Sequence, residues 1–183
     1  MAGLLKKFLF AGGSVKISVP MATPEELVRT AVEQLGVPYE VMEIDPEFAD
    51  TAAFYQRYGY PPGRSCNTII VASKKEPKRY VACVVLASTR LDVNKCVTRL
   101  MGVSKASFAS AEEMIALTGM RVGGVTPFAL PTGLPLYVDE RIMRLDWVVL
   151  GGGGRGTKIK ISPEVFRKMG AEIVPGLGVT MDE

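Results

Sequence analysis

Residues 147–161 read WVVLGGGGRGTKIKI, and this stretch carries the strongest local signal in the chain. Trp147–Leu150 is predicted to be one strand, and Lys158–Ile161 alternates as a second strand with one face in solvent. The glycines between them match the G-x-G-x-x-G spacing, but a dinucleotide-binding loop must open a helix whose amino terminus holds the pyrophosphate. A Walker-type phosphate loop is excluded too, because Thr157-Lys158 reverses its last two residues and no helix follows. The stretch predicts a tight connection between strands; the alternative is a loop whose bare backbone lets a ligand approach closely.

On both sides of this stretch, helices and strands follow one another without strict alternation. Thr23-Pro24-Glu25-Glu26 has the form of a capping box and predicts a helix that ends at Gly36. Asn67–Ala72 and Tyr80–Ala87 predict a hairpin. The other predicted elements are strands at Tyr39–Ile44 and Leu136–Val138, and helices at Asp50–Tyr58, from Asp92, from Ser110 to Gly119 and from Ser162. This order predicts one compact α/β domain over residues 23–183, with a mixed sheet and flanking helices; residues 1–22 form an extension that matches nothing assignable.

The composition excludes several kinds of chemistry. The chain has 183 residues, of which 48% are hydrophobic and 22% charged, as in a globular domain. It contains no histidine, which excludes Ser-His-Asp and Cys-His catalysis, a histidine general base and the common histidine zinc and haem sites. The net charge of +3 is compatible with a polyanionic partner but too small to argue for one.

The three cysteines point to the reducing cytosol. Cys66, Cys83 and Cys96 form no C-x-x-C pair, and the last two occupy predicted strand and helix positions typical of core thiols. Apolar runs in the chain are too short for a secretory signal or a membrane span. The sequence therefore predicts a cytoplasmic protein that does not enter the membrane.

Residues 122–128, VGGVTPF, form the first candidate site. Gly123 and Gly124 permit backbone conformations closed to other residues, and Pro127 moves Thr126 out of the helical region. Such a segment can direct consecutive amide N–H groups at one point, as a carbonyl oxygen or an oxyanion requires. An ordinary loop between a helix and a strand explains the same residues equally well.

Two charged residues are weaker candidates. Asp139 follows the strand Leu136–Val138, where a carboxylate can hold water or an amine, although a role at the strand end or as a helix cap is favoured. Arg155 lies among glycines, and solubility alone explains it poorly, so a binding role is favoured there.

Taken together and in order, these segments resemble the YbaK and prolyl-tRNA synthetase editing-domain family of aminoacyl-tRNA deacylases. The resemblance covers roughly residues 24–175 and rests on Leu91-Asp92, Ala111-Glu112-Glu113, Thr118-Gly119, Val122 to Phe128, Leu136 to Glu140, Gly151 to Arg155 and the helix after Ser162-Pro163. It implies a barrel-like mixed sheet whose pocket admits the 3′ aminoacyl-adenosine end of a tRNA. It also implies hydrolysis of a mischarged ester without a metal, a cofactor or a covalent enzyme intermediate, and it admits a weak association with a synthetase.

The resemblance also assigns the site residues. The catalytic set is Asn67, Gly123, Gly124, Val125, Thr126 and Pro127, and the substrate-binding set is Thr68, Phe128, Asp139, Gly151, Gly152, Gly153 and Arg155. Backbone amides would receive the negative charge on the ester carbonyl, the ribose hydroxyl of the substrate would assist the attacking water, and Arg155 would meet a phosphate or stack on a base. Pocket size would select a small amino acid.

One residue departs from the family pattern. Many members carry a lysine just before the threonine that opens the first hairpin strand, and here Asn67 precedes Thr68. This departure motivates the first of two alternatives to a trans-editing hydrolase, and both stay open. The first is a catalytically weakened paralogue that binds an aminoacyl or nucleotide-like ligand, or a partner, without turnover. The second is a hydrolase of small esters or amides unrelated to tRNA.

Overall fold

The computed structural model describes residues 5–10, 13–18 and 22–180. Its strands are β1 (Leu5–Phe10), β2 (Gly13–Ser18), β3 (Tyr39–Glu43), β4 (Cys66–Ser73), β5 (Tyr80–Leu86), β6 (Thr89–Leu91), β7 (Ala106–Phe108), β8 (Leu136–Asp139), β9 (Val148–Gly151), β10 (Thr157–Ile161), β11 (Glu172–Val174) and β12 (Gly178–Thr180). Its α-helices are α1 (Pro24–Gln34), α2 (Thr51–Tyr58), α3 (Thr98–Met101), α4 (Ala111–Thr118) and α5 (Glu164–Lys168). Short 3₁₀ turns at Pro46–Phe48 and Glu140–Arg144 and a π turn at Val93–Val97 complete these elements.

The main sheet has five strands in the order β11-β8-β5-β4-β7. The predicted hairpin β4–β5 is antiparallel, β8 and β11 add in parallel on one side, and β7 adds antiparallel on the other. A second, antiparallel sheet has the order β3-β10-β9, and a bridge between Ser65 and Val149 joins it to the start of β4. The mixed α/β architecture is confirmed, whereas the described strands form open sheets and no closed barrel.

Helix boundaries follow the capping residues in the sequence. At α1, Thr23 accepts a hydrogen bond from the Glu26 amide while the Glu26 side chain accepts one from the Thr23 amide. Ser110 opens α4 in the same way, and Gly119 closes it in the left-handed conformation. The helix predicted from Asp92 begins instead as the π turn, because the Asp92 carboxylate accepts the amides of both Lys95 and Cys96, and α3 follows directly.

The core lies between the two sheets and beneath α1 and α5, with Val84, Val138 and Phe166 at its centre. Strand β10 lies in the middle of the small sheet and is covered on both faces. Ile159 packs in this core, while the opposite face meets the aromatic cluster around Phe54. The prediction that one face of this strand is in solvent is therefore wrong at Lys158, which is buried, whereas Lys160 on the same face is partly exposed.

The cysteines are buried as free thiols, which confirms that Cys83 and Cys96 are core residues. Burial raises the pKa of Cys83 to about 12 and also raises the pKa of Cys66, so both thiols are neutral at physiological pH.

Two further observations concern the ends and the surface. Strands β1 and β2 pair antiparallel within the segment predicted to be an extension, and the assignment of residues 1–22 to an extension stays a prediction. Among the described residues, no helix combines the length and the apolar character needed to cross a bilayer.

Candidate active site

A cavity of about 270 Å³ lies where the start of β4, the start of α2, the loop after α4 and the β9–β10 hairpin meet. Asn67 and Thr68 line it from β4, Gly123 and Val125 from the loop, and Asp50, Thr51, Gly151 and Lys158 from the other two elements. The fold thus brings together five residues from the predicted site, namely Asn67, Thr68, Gly123, Val125 and Gly151.

The loop after α4 forms a tight turn that fixes its amides. The Gly124 N–H donates to the Arg121 carbonyl at 2.9 Å, and Gly123 has a φ of +86°, as the third residue of a type II turn requires. The Gly124 carbonyl accepts from the Gly153 amide at 2.8 Å. Both polar groups of Gly124 are therefore used inside the protein. The amides of Gly123 and Val125 bond to no acceptor in the described part of the chain, and both residues line the cavity.

The glycines at 151–154 allow this loop to pack closely against other segments of the chain. A Cβ on Gly151 would lie 2.5 Å from the Val125 carbonyl oxygen, and one on Gly153 would lie 2.8 Å from the Pro24 carbonyl oxygen. A Cβ on Gly154 would overlap the Glu25 carboxylate. The structure therefore shows the tight connection between strands, with bare backbone that admits the protein's own chain. Of this run, Gly151 lines the cavity, whereas Gly152 and Gly153 lie in the turn behind it.

Arg155 ties three segments around the cavity. Its Nε donates to the Pro46 carbonyl at 3.1 Å and its Nη1 donates to the Val122 carbonyl at 3.1 Å. Both terminal nitrogens meet the Asp50 carboxylate, at 3.2 and 3.3 Å. Since these contacts occupy most of the guanidinium donors, Arg155 holds the turn at Val122 against the segment that precedes α2.

Asn67 lines the cavity and has one of its two side-chain polar groups unpaired within the described part of the chain. Its Oδ1 accepts from the Thr51 hydroxyl at 2.9 Å, and its Nδ2 has no acceptor among the residues that the structure describes. Thr68 follows it, but the Thr68 hydroxyl oxygen is buried and has no protein partner in that same part of the chain. Asn67 is therefore the side chain of the predicted set that offers free donors to a ligand.

The sequence reasoning missed Lys158. Lys158 is only 9% exposed. Its Nζ donates to the Ala49 carbonyl at 2.7 Å and to the Gly123 carbonyl at 3.3 Å, and this nitrogen lies 5.5 Å from the centre of the Phe54 ring. Burial lowers its pKa to about 8, while Asp50 raises this pKa and Arg155 lowers it. No local signal in the sequence marked it, because its burial comes from the central place of β10 between β3 and β9 and from the Phe54 ring packed beside it.

The remaining predicted residues lie outside the cavity. Phe128 is 1% exposed and packs in the main core. Asp139 is fully buried, and its carboxylate accepts from the amides of Arg141 at 2.9 Å and Gly178 at 2.7 Å, which is the structural role that the sequence favoured. Thr126 and Pro127 are buried behind the turn. Within the described ranges, no group of three or more potential metal ligands is present.

These features define a class of small α/β protein in which a glycine turn and the first strand of a hairpin line one small cavity. The chain belongs to the aminoacyl-tRNA editing domain family, whose sequence model matches residues 45–169 and so includes every residue that lines the cavity. This match confirms the family that the motifs predicted.

Relatives and solved structures agree with this assignment. The chain is 25% identical over 137 residues to the Enterococcus faecalis protein named "Putative Cys-tRNA(Pro)/Cys-tRNA(Cys) deacylase EbsC". The matched region covers 74% of this chain and 82% of that protein. It is 26% identical, with a TM-score of 0.72, to the crystal structure of "a putative trans-editing enzyme for prolyl tRNA synthetase", over 85% of this chain and 98% of that one. The hypothetical protein APE2540 gives 27% identity and a TM-score of 0.75 over 84% and 100% of the two chains.

Proposed function

We propose that the protein is a free-standing trans-editing deacylase that hydrolyses the ester between a wrong amino acid and the 3′ end of a tRNA. The observation that carries the proposal is that Gly123 and Val125, whose amides bond to no acceptor among the described residues, line one cavity together with Asn67, whose Nδ2 is also unpaired there. Hydrogen-bond donors fixed in advance around a small cavity are what an ester carbonyl needs as it becomes an oxyanion. Membership of the editing-domain family supports the choice of an aminoacyl ester.

The reaction needs no covalent intermediate on the enzyme. Water adds to the carbonyl carbon, the carbonyl oxygen takes the negative charge, and the amides of Gly123 and Val125 donate to it. The bond from that carbon to the ribose oxygen then breaks, the ribose oxygen takes the proton that the attacking water gives up, relayed by the neighbouring ribose hydroxyl, and the free amino acid leaves. The Asp50 carboxylate lies at the cavity but is paired with Arg155, so it is not available to orient the attacking water. The substrate's own ribose hydroxyl next to the ester takes this role.

The cavity favours small amino acids. Its volume of about 270 Å³ is slightly below the usual range of pockets for small ligands, roughly 300–1,000 Å³. Met114 and Ile69 add apolar walls to it. Because these walls belong to α4 and β4, a larger side chain would have to displace regular structure, and we expect it to be refused.

The experiment is deacylation of a panel of tRNAs charged with alanine, serine, cysteine or phenylalanine, with spontaneous hydrolysis subtracted. We expect hydrolysis of one or more of the small aminoacyl groups, little for phenylalanine, and a loss of roughly tenfold or more in Asn67→Ala. The matched control is Asn94→Ala, because Asn94 is exposed and lies outside the cavity. Background rates across the whole panel would refute the proposal. Tight binding of an amide analogue without turnover would favour the weakened paralogue, and cleavage of free aminoacyl esters that tRNA does not compete away would favour the small-ester hydrolase.

Replacement of Arg155 by lysine should lower the rate of deacylation about tenfold, with little change in how KM depends on salt. Lysine cannot bond Pro46, Val122 and Asp50 together, so the turn that carries the Gly123 amide loses its support. The measurement is kcat and KM at two salt concentrations, and Arg167→Lys, which affects an exposed ion pair with Glu164, is the control. A change confined to KM and its salt dependence would instead indicate the phosphate contact that the sequence suggested.

A further inference from the structure

We propose that Lys158 is a catalytic residue that supplies the positive charge of the site, with its ammonium in contact with the carbonyl oxygen of the bound aminoacyl ester. This inference rests on the proposed deacylase function. It adds a positive charge to the site, which the neutral backbone amides do not provide. It concerns the developing oxyanion, which a fixed cation stabilises more strongly than it stabilises the neutral ester.

The geometry leaves one donor of Lys158 for a ligand. An ammonium has three N–H groups, and the carbonyls of Ala49 and Gly123 accept two of them. These carbonyls belong to different segments, so they hold the nitrogen between them at the cavity wall. The Phe54 ring lies 5.5 Å from the nitrogen and restricts the side chain further. The ammonium is thus fixed in place before any substrate arrives.

Lys158 carries the charge at the cavity that no ion pair neutralises among the described residues. Asp50 and Lys158 are the charged residues among those that line it, and the Asp50 carboxylate is paired with Arg155. Cys66 also faces the cavity, and burial raises its pKa, so that thiol carries no charge. Because Lys158 is buried, its charge acts through little water and is weakly screened.

Burial also sets the pH range in which the charge exists. It lowers the pKa of Lys158 to about 8, so the ammonium form still predominates at neutral pH. Above that pKa the ammonium loses its proton, so a rate that depends on the charge must fall as the pH rises.

The test compares Lys158→Met with Lys160→Met in the deacylation assay between pH 6.5 and 9.5, with spontaneous hydrolysis subtracted. Lys160 is the matched control, because it lies two residues along the same strand, pairs with Glu40 at 3.2 Å and does not line the cavity. We expect Lys158→Met to lower kcat about 100-fold, with a smaller effect on KM. The wild type and Lys160→Met should lose rate as the pH passes about 8, and Lys158→Met should lack that step.

Two outcomes would overturn the inference while deacylation itself stands. One is a wild-type rate in Lys158→Met. The other is a uniformly lower rate that keeps the step near pH 8, which would indicate a structural role in holding Ala49 and Gly123.

If the wild type hydrolyses nothing, the catalytic role of Lys158 is overturned together with the proposed function. If Lys158→Met does not fold, a binding measurement tests the contact between Lys158 and the carbonyl oxygen. The probe is 3′-alanylamino-3′-deoxyadenosine, an amide that keeps the carbonyl and resists hydrolysis. Titration of the Lys158 side chain by NMR should show its pKa rise when the probe binds to the wild type, because the carbonyl oxygen favours the charged form. An unchanged pKa, or no binding of the probe, overturns the inference.

Discussion

Gly124→Ala should lower the rate of deacylation about 100-fold and reduce the free energy of unfolding by about 1–3 kcal/mol. A Cβ on Gly124 would overlap the Gly154 carbonyl and lie 2.8 Å from the Gly154 Cα. These are backbone atoms, and the bond from the Gly153 amide to the Gly124 carbonyl holds the two loops together. The loops must therefore separate, which displaces the Gly123 and Val125 amides from the cavity.

Gly156→Ala is the control for this substitution. Gly156 lies in the same glycine-rich hairpin loop, has no positive φ, and a Cβ there would meet no atom within 4 Å. Single-turnover deacylation and urea unfolding should give wild-type values for Gly156→Ala and reduced values for Gly124→Ala. Equal behaviour of the two variants would contradict the close packing on which the site depends.

Phe128→Ala should destabilise the protein by about 3–5 kcal/mol without changing which amino acid is removed. Phe128 is 1% exposed in the main core, so its loss opens a cavity between the sheets. The melting temperature should fall by roughly 10 °C for a chain of this size. Calorimetry measures this change, and Phe108→Ala, at a phenylalanine that is 57% exposed, should cost far less. If Phe128→Ala is instead stable and prefers different aminoacyl groups, Phe128 contacts the substrate, as the resemblance implied.

Local signals in the sequence predicted most of the fold. The capping boxes at Thr23 and Ser110 fix the starts of α1 and α4 through contacts three residues apart, and such contacts can be recognised without a structure. The hairpin β4–β5 was equally visible from two apolar runs around a charged loop. Turn residues at Gly36 and Gly119 marked helix ends for the same local reason.

The site depended on contacts that are distant in sequence. Arg155 meets Pro46 and Asp50 from 109 and 105 residues away, and no spacing rule predicts such a partner. Lys158 was assigned to solvent because a lysine that alternates with isoleucine usually marks an exposed face. Its burial follows from the central place of β10 and from the helix that carries Phe54, and both are properties of the assembled fold.

Contacts distant in sequence also explain the glycine-rich segments, for which the sequence left open a tight structural connection or a loop that a ligand approaches. Gly124 and Gly154 are glycines because each loop packs on the backbone or side chains of another segment. The turn does leave amides without an acceptor among the described residues, those of Gly123 and Val125 included, but the Gly124 amide is not one of them because it closes the turn. Which N–H groups remain available cannot be read from the order of the residues.

The most direct measurement is the change in backbone amide resonances when 3′-alanylamino-3′-deoxyadenosine is added to the wild-type protein. We expect the Gly123 and Val125 amide protons to shift downfield as they begin to donate to the carbonyl oxygen, while the Gly124 proton, already bonded to the Arg121 carbonyl, stays in place. Saturating binding of the compound with both resonances unmoved would show that these amides do not bind the carbonyl oxygen.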